Sequence, residues 1–561
     1  MTLARSGHPG LPRFSGRISS LSAFHWRGFV KFLGLFSLCC LLAIACSRQP
    51  QTTSSPGSVA GSSRISMGTT AKIRTLDPAD SYEVFSGNLL YNMGDRLYSY
   101  ELGTTQLKPQ LATKLPEVSD DGLAYKIPVR QGVVFHDGTA FNAKAMAFSL
   151  QRFIENGGQP AFLLADTVDS VEATGDYEVT IRLKKPFAAF PALLAFPGTC
   201  AVSPKAYELG SGKFKPAAFV GTGPYKLGQY ASDSLRLDTF DQYWGEKPTN
   251  QGIDIQIFTS GANLFNAFKT KQVDVAYQTL DPNQVKTLEQ GAERGNWQAI
   301  AGPGSNISYL TLNLKEPPLD KVEVRQAIAA MIDRPLLQRR IFQGQIEPLY
   351  SLIPTVFDVN KPVFKRYGDG DASKVQALLK QAGYSTAKPL KVNLWYRSNV
   401  PNNVSAANTL KGLVQQKLGG AMQLELSSVE SATAYTNLDK GIYPIFLLDY
   451  YGDFFDPDTY VQPFLACAKG SQTVCQEGAS VGQGSFYYNQ RVNQLIDQER
   501  REQNAGKRQQ IFGQIQEILA KEVPFIPLWQ SKDYAFAQQG VNGVRLEPTQ
   551  QLPLWPLHKA S

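Results

Sequence analysis

"LAYKIPVRQGVVFHDGTAFNAKAMAFSLQRFI", residues 123–154, carries three local signals in one run. Residues 123–135 alternate apolar and polar side chains with the period of two that suits a half-buried strand. His136-Asp137-Gly138 is turn chemistry. Residues 141–154 then take up the spacing of an amphipathic helix, which points Phe141, Ala145, Phe148 and Phe153 inward. A lone histidine beside Asp-Gly at such a turn reads as a structural hydrogen-bonder rather than a ligand.

The same switching between periods recurs along the chain. "VEVRQAIAAMIDRPLLQRRIF" (322–342) repeats Val324, Ile328, Met331 and Ile332 at helical spacing, and Asp333-Arg334-Pro335 breaks it and starts a second helix. "DASKVQALLKQAGY" (371–384) sets Val375, Leu378, Leu379 and Ala382 on one face, with Gly383 where a C-terminal glycine cap belongs. "KRQQIFGQIQEILAKEVPFIPLW" (507–529) is a helix stopped at Pro524 and followed by an apolar strand. Between these stand the strand-like "ISYLTLNL", "LKVNLWY" and "YPIFLLDYY". Strands alternating with helices predict an α/β architecture. At 561 residues the chain exceeds what one core can hold, so two or three domains are expected.

The first 63 residues read differently. Residues 1–45 carry Arg5, Arg13, Arg17, Arg27 and Lys31, no acidic residue, and a short apolar run from Phe32 to Ala45. A basic leader, a short apolar core and small residues before a cut describe an export signal. Leu42-Ala43-Ile44-Ala45-Cys46 resembles the bacterial lipobox, with Ala43 where Leu is usual; this implies that Cys46 is lipidated. Ordinary signal-peptidase cleavage or a short membrane anchor is the alternative. Residues 46–63, rich in Ser, Thr, Pro, Gly and Gln, then form a flexible tether. Removing residues 1–45 strips five positive charges and lowers the formal net charge from +8 to +3. The basic balance is therefore a leader effect and no argument for nucleic acid.

Beyond the leader and Cys46, the cysteines are Cys200, Cys467 and Cys475. In an exported protein Cys467 and Cys475, facing each other across a polar loop, read as a disulfide, and Cys200 as a buried small hydrophobe. Enzyme signatures are few: there is no H-E-x-x-H. "GSGKF" (210–214) lacks the leading Gly and the hydroxyl residue of a phosphate loop. Past the leader only His136 and His558 remain, which speaks against triad or transition-metal chemistry and leaves carboxylate-only chemistry open.

The run 123–154 also resembles a family. Arg130, Gly132, Phe135, His136, Asp137, Gly138, Ala143, Ser149 and Arg152 match the "LRxGVxFHDGxPxxAxDVxxSxxR" pattern of extracytoplasmic solute-binding proteins of the peptide/opine/nickel type, which feed ATP-driven importers. "FNAKAMAFS" (141–149) departs from the family's Ala-x-Asp-Val segment. The likeness continues in order through Leu76-Asp77-Pro78, "GTGPYKL" (221–227), "YWGEKP" (243–248), "FNAFKTKQVDVAY" (265–277), "VRQAIAAMIDRPLL" (324–337), "LLKQAGY" (378–384) and "VPFIPLW" (523–529). It implies a periplasmic-binding-protein-like α/β fold with two lobes closing on a ligand by a hinge, plus a third, smaller inserted lobe. The implied segments are 64–108, 225–305 and 522–561 for the first lobe, 109–224 for the inserted lobe and 306–521 for the third. The implied function is the substrate-binding component of an ABC importer, without catalysis or cofactor. It would stand as a monomer on the outer face of the cytoplasmic membrane, held by its lipid anchor and delivering peptides to permease subunits. A non-peptide solute on the same fold (oligosaccharide, opine, metal chelate or nickel) is the alternative.

"LLDYYGDFFDPDTY" (447–460) sets four aspartates among five aromatic rings behind an apolar strand. Calcium would want the D-x-[DN]-x-[DN]-G spacing, which is absent. A glycosidase pair of carboxylates has no other feature to support it. In peptide-binding members a loop of the form G-D-x-x-D-P-D supplies one Asp to the ligand's α-amino group. The resemblance assigns that role to Asp453, walled by Tyr450, Tyr451, Phe454 and Phe455, with Asp456 and Asp458 flanking Pro457 in a turn and Asp449 facing a neighbouring strand. Arg397 stands about where dipeptide binders hold the ligand carboxylate; a solvated surface arginine is the equal alternative. Trp395 and Tyr396 are pocket wall or core, and Tyr82 and Phe85 lie where the family's first lobe reaches the cleft.

Overall fold

The structure is a computed structural model describing residues 64–278, 280–472 and 474–560. The signal segment 1–45, Cys46 and the tether to residue 63 lie outside the described residues.

Alternation in 123–135 yields the strand Ala124–Pro128, with Tyr125 and Ile127 fully buried and Lys126 exposed. The strand is shorter than its sequence pattern because Pro128 offers no N–H to extend a ladder and Gly132 turns the chain at φ +77°. Asn142 caps the helix Ala143–Glu155, its Oδ1 accepting from the Ala145 N–H at 3.0 Å. Phe141, Ala145 and Phe153 are buried, and Phe148 lies half-buried against a neighbouring core. The segment 322–342 divides into the helices Val322–Met331 and Arg334–Arg340, the second capped by Asp333, which accepts from the Leu336 N–H at 3.0 Å.

Three main apolar cores follow from these faces. One gathers Ile65–Met93, Cys200–Tyr277 and Ala535–Leu557; another gathers Leu97–Ala201 around the helix Ala143–Glu155; the largest gathers Ile307–Trp529. The chain thus leaves the first core, builds an inserted lobe, returns, builds the third lobe and comes back. The inserted lobe carries a four-stranded antiparallel sheet that includes Ala124–Pro128, Val168–Gly175 and Glu178–Leu183.

An eleven-stranded mixed sheet runs through the first and third lobes. Its centre is the antiparallel pair Trp297–Leu312 and Phe525–Gln538. On one side Phe525–Trp529 pack into the third core, and further along Ala535 and Ala537 pack into the first. Between these halves the register slips: Pro303 faces Lys532 but Ile307 faces Gln530, so Gly304, Ser305 and Asn306 oppose the single residue Ser531. Such a bulge bends the pair where the two lobes meet.

Residues shared with the family motifs are the ties between lobes. Asp77 and Arg152 form a bidentate ion pair, both bonds 2.7 Å, with at most 1% of either side chain exposed. His136 accepts the Gly221 N–H at Nδ1 (3.3 Å), so its Nε2 carries the proton given to the Gly223 carbonyl at 3.0 Å. Burial lowers its pKa to about 4. Asp95 accepts from Trp244, Thr222 and Tyr243. Cys467 and Cys475 are disulfide-bonded with Cα atoms 5.8 Å apart, and Cys200 is a buried free thiol.

Candidate binding site

Two adjoining cavities open between the first and third lobes, of about 540 and 480 Å³, and Val84, Asp449 and Tyr451 line both. Each is of a size that takes a small ligand. The smaller is walled by aromatic rings from all three lobes, among them Tyr82, Tyr100, Phe196, Tyr450, Phe454 and Phe455. Its lining holds Glu83, Asp449 and Asp453 and, among the described residues, no lysine, arginine or histidine.

Asp453 stands where the strand Ile445–Tyr450 runs out. The apolar run Ile445–Leu448 buries the strand in the third core and so delivers the following loop to the cleft. Gly452 permits the turn: a Cβ there would meet the Tyr460 hydroxyl at 2.7 Å and the Thr459 methyl at 2.8 Å. The Asp453 N–H donates to Thr459 Oγ1 at 3.1 Å, and its carboxylate accepts the Tyr450 hydroxyl at 2.8 Å. Tyr82, from the first lobe, donates its hydroxyl to the other carboxylate oxygen. Burial lifts the Asp453 carboxyl above the usual aspartate range while the two phenols oppose the shift. A half-buried carboxylate served only by neutral donors is an electrostatic seat for a cation.

The other acids of the stretch are engaged. Asp456 accepts from the Asp458 N–H at 2.9 Å and takes a bidentate bond from Arg508, both at 2.7 Å. Asp458 lies 3.6 Å from Arg500. Asp449 pairs with Arg397 of the adjacent parallel strand Leu390–Arg397. Arg397 is thus no solvated surface residue: it is buried in the cleft wall, also donates to the Tyr435 hydroxyl at 2.9 Å, and keeps its Nε without a partner.

Of the residues singled out from sequence, Tyr82, Tyr450, Tyr451, Asp453, Phe454, Phe455 and Arg397 line the cavities. Three do not. Phe85 lies in the first core against Tyr277, ring centroids 6.4 Å apart, on the inward face of the helix whose start carries Val84 to the cleft. Trp395 packs on Tyr443 at 5.0 Å, and both Trp395 and Tyr396 lie against the third core. Aromatics on a strand fit core and pocket equally well, and here packing claims them.

The sequence reading missed the contribution of the strand Phe525–Gln538, where Ser531, Lys532, Asp533 and Tyr534 line the larger cavity. Its signal was the polar stretch Gln530-Ser531-Lys532-Asp533 between two apolar halves of the strand. It also missed Ser305, Asn306, Gln550 and Gln551. Buried polar atoms without a protein partner gather in this lining: Ser81 Oγ, Asn306 Oδ1, Arg397 Nε, Ser531 Oγ and Gln551 Oε1. Such atoms are costly in a folded interior and mark a surface built for a ligand. No cluster of three or more His, Cys, Asp or Glu able to hold a metal occurs among the described residues.

Residues 106–472 match the model of the bacterial extracellular solute-binding proteins, family 5 (middle). A dipeptide-binding protein of Escherichia coli is 27% identical over 490 residues, covering 82% of this chain and 87% of the relative. A glutathione-binding protein of the same organism is 26% identical over 483 residues, covering 84% and 90%. Among solved structures, HbpA2 from Haemophilus parasuis superposes with a TM-score of 0.77 at 21% identity, covering 89% of this chain and all of that one. The chain belongs to family 5 of the bacterial extracellular solute-binding proteins: it is the extracytoplasmic substrate-binding component of an ABC importer, three-lobed in fold and not an enzyme.

Proposed function

We propose that the solute is a peptide, seated by its free α-amino group on Asp453. The observation that carries this reading is a half-buried carboxylate, bonded by two phenols, in an aromatic cavity with no cationic side chain among its described lining residues. An ammonium would complete the charge there, and the rings add cation–π attraction. The relatives named for dipeptide and glutathione binding support the same class. The ligand's main chain would pair with the bulged segment Gly304–Asn306, which stands out of the ladder beside the cleft. Its carboxylate would turn to the larger cavity, where Arg397 and Lys532 stand. Lipidation of Cys46, the tether behind it, a monomeric state and hand-over to permease subunits complete the reading. These last rest on the sequence alone.

Titration calorimetry of the full chain with di-, tri- and tetrapeptides, each free and N-acetylated, tests it. Free peptides should bind and acetylation should weaken them at least a hundredfold. Equal affinity for acetylated peptides would remove the role of Asp453, and heat only with sugars or metal chelates would replace the peptide by those solutes.

A further inference from the structure

The charges of the cleft do not balance, and the residual is located. Glu83 is paired with Arg74 at 2.6 Å and Asp449 with Arg397. Asp453 is taken by the ligand amine in the reading above. That leaves Asp533, on the strand Phe525–Gln538 opposite Gly302 and beside the bulge between the lobes. No ion pair reaches Asp533 among the described residues. Lys532 is its neighbour in sequence and lines the same cavity, but the Lys532 ammonium donates to the Gly344 carbonyl at 3.2 Å and forms no ion pair with Asp533. What surrounds Asp533 is neutral: the amide of Gln550 and the phenols of Tyr277 and Tyr451. Tyr451 lines both cavities, so Asp533 stands next to the space that continues from Asp453.

We propose that Asp533 is a second cation subsite, which takes a basic side chain of the bound ligand, so that the preferred solute is a peptide carrying a lysine- or arginine-like group. This rests on the peptide reading and adds to it the side-chain class. An unpaired carboxylate facing a cavity is an unfavourable element of a binding wall unless the ligand supplies its counter-charge. The ring of Tyr451, which lines both cavities, suits an alkyl-ammonium or guanidinium, whose stem it can cover and whose charge it attracts. Burial raises the Asp533 carboxyl to about 6, which leaves it mostly ionised at neutral pH and ready for a cation.

The test is calorimetry on the full chain with Ala-Ala-Ala and with tripeptides carrying one lysine at each position in turn. The same lysine peptides with an acetylated side-chain amine serve as neutral isosteres. At least one lysine peptide should bind tenfold or more tightly than Ala-Ala-Ala, and side-chain acetylation should abolish the gain. Asp533→Asn should lose most of the lysine preference, read as the ratio of the affinities for the lysine peptide and its side-chain-acetylated isostere. Tripeptides binding without lysine preference, or a preference that survives side-chain acetylation, would overturn the subsite and leave the peptide reading standing. Failure of every free peptide to bind would overturn both. The acetylated peptides keep the test valid on the unaltered protein should Asp533→Asn fold poorly.

Discussion

Replacing Asp453 by Asn separates binding from stability, because the two should move in different directions. Asp453 is an acid whose pKa burial raises, so the native state favours its protonated form. Its charge therefore costs stability once the pH exceeds the unfolded value, and the cost is complete above the folded one. At pH 7 the neutral Asn variant should unfold no earlier than the wild type in the absence of ligand. It also keeps an oxygen to accept from Tyr82 or Tyr450. Peptide binding should respond the other way. Removing one partner of a desolvated charge pair costs about 2–5 kcal/mol. Taking about 3 kcal/mol, affinity falls roughly 150-fold. At a peptide concentration of about 100 times the wild-type Kd, ligand stabilises the wild type by about 2.7 kcal/mol and the variant by about 0.3 kcal/mol. Differential scanning fluorimetry with and without peptide, backed by calorimetry, reads both quantities. An Asn variant that keeps its affinity within threefold would refute the argument, as would one whose ligand-free unfolding temperature drops by many degrees.

Two further expectations concern the ties between lobes. Arg152→Ala leaves Asp77 buried without its counter-ion and should destabilise by about 3–5 kcal/mol, measured by urea denaturation; Arg152→Lys, unable to bond in bidentate fashion, should rescue only part. His136, held neutral with its pKa lowered to about 4, should make stability fall as the pH drops from its ordinary value of 6.5 toward 4, by at most about 3 kcal/mol. His136→Gln should flatten that dependence in urea midpoints compared at pH 7 and pH 4.

What could be read locally was legible before any coordinates. The Gly452–Asp458 loop is contiguous, so a carboxylate after a buried strand, ringed by aromatics and followed by a Pro turn, declared itself. Tyr82 was singled out, but that its hydroxyl would close on Asp453 across 371 residues was not. Phe85, Trp395 and Tyr396 show the limit most plainly: a helix or strand presents aromatics to core and cleft alike, and only packing decides between them. Arg397 was read as ligand partner or solvated residue. Its pairing with Asp449 belongs to neither, since it depends on two parallel strands lying side by side.

The sequence by itself determined the alternation of strands and helices, the motif order that carries the family, the turn chemistry at His136 and the acidic-aromatic loop. Each motif, turn and element rests on neighbours a few residues apart, and the family likeness on the order of such motifs along the chain. Tertiary structure alone decided which charges remain unpaired. Asp77 finds Arg152, Asp449 finds Arg397 and Asp456 finds Arg508, whereas Asp453 and Asp533 meet only neutral groups. Charge pairing depends on distances through space of a few ångströms between segments up to hundreds of residues apart, and folding alone brings those segments together.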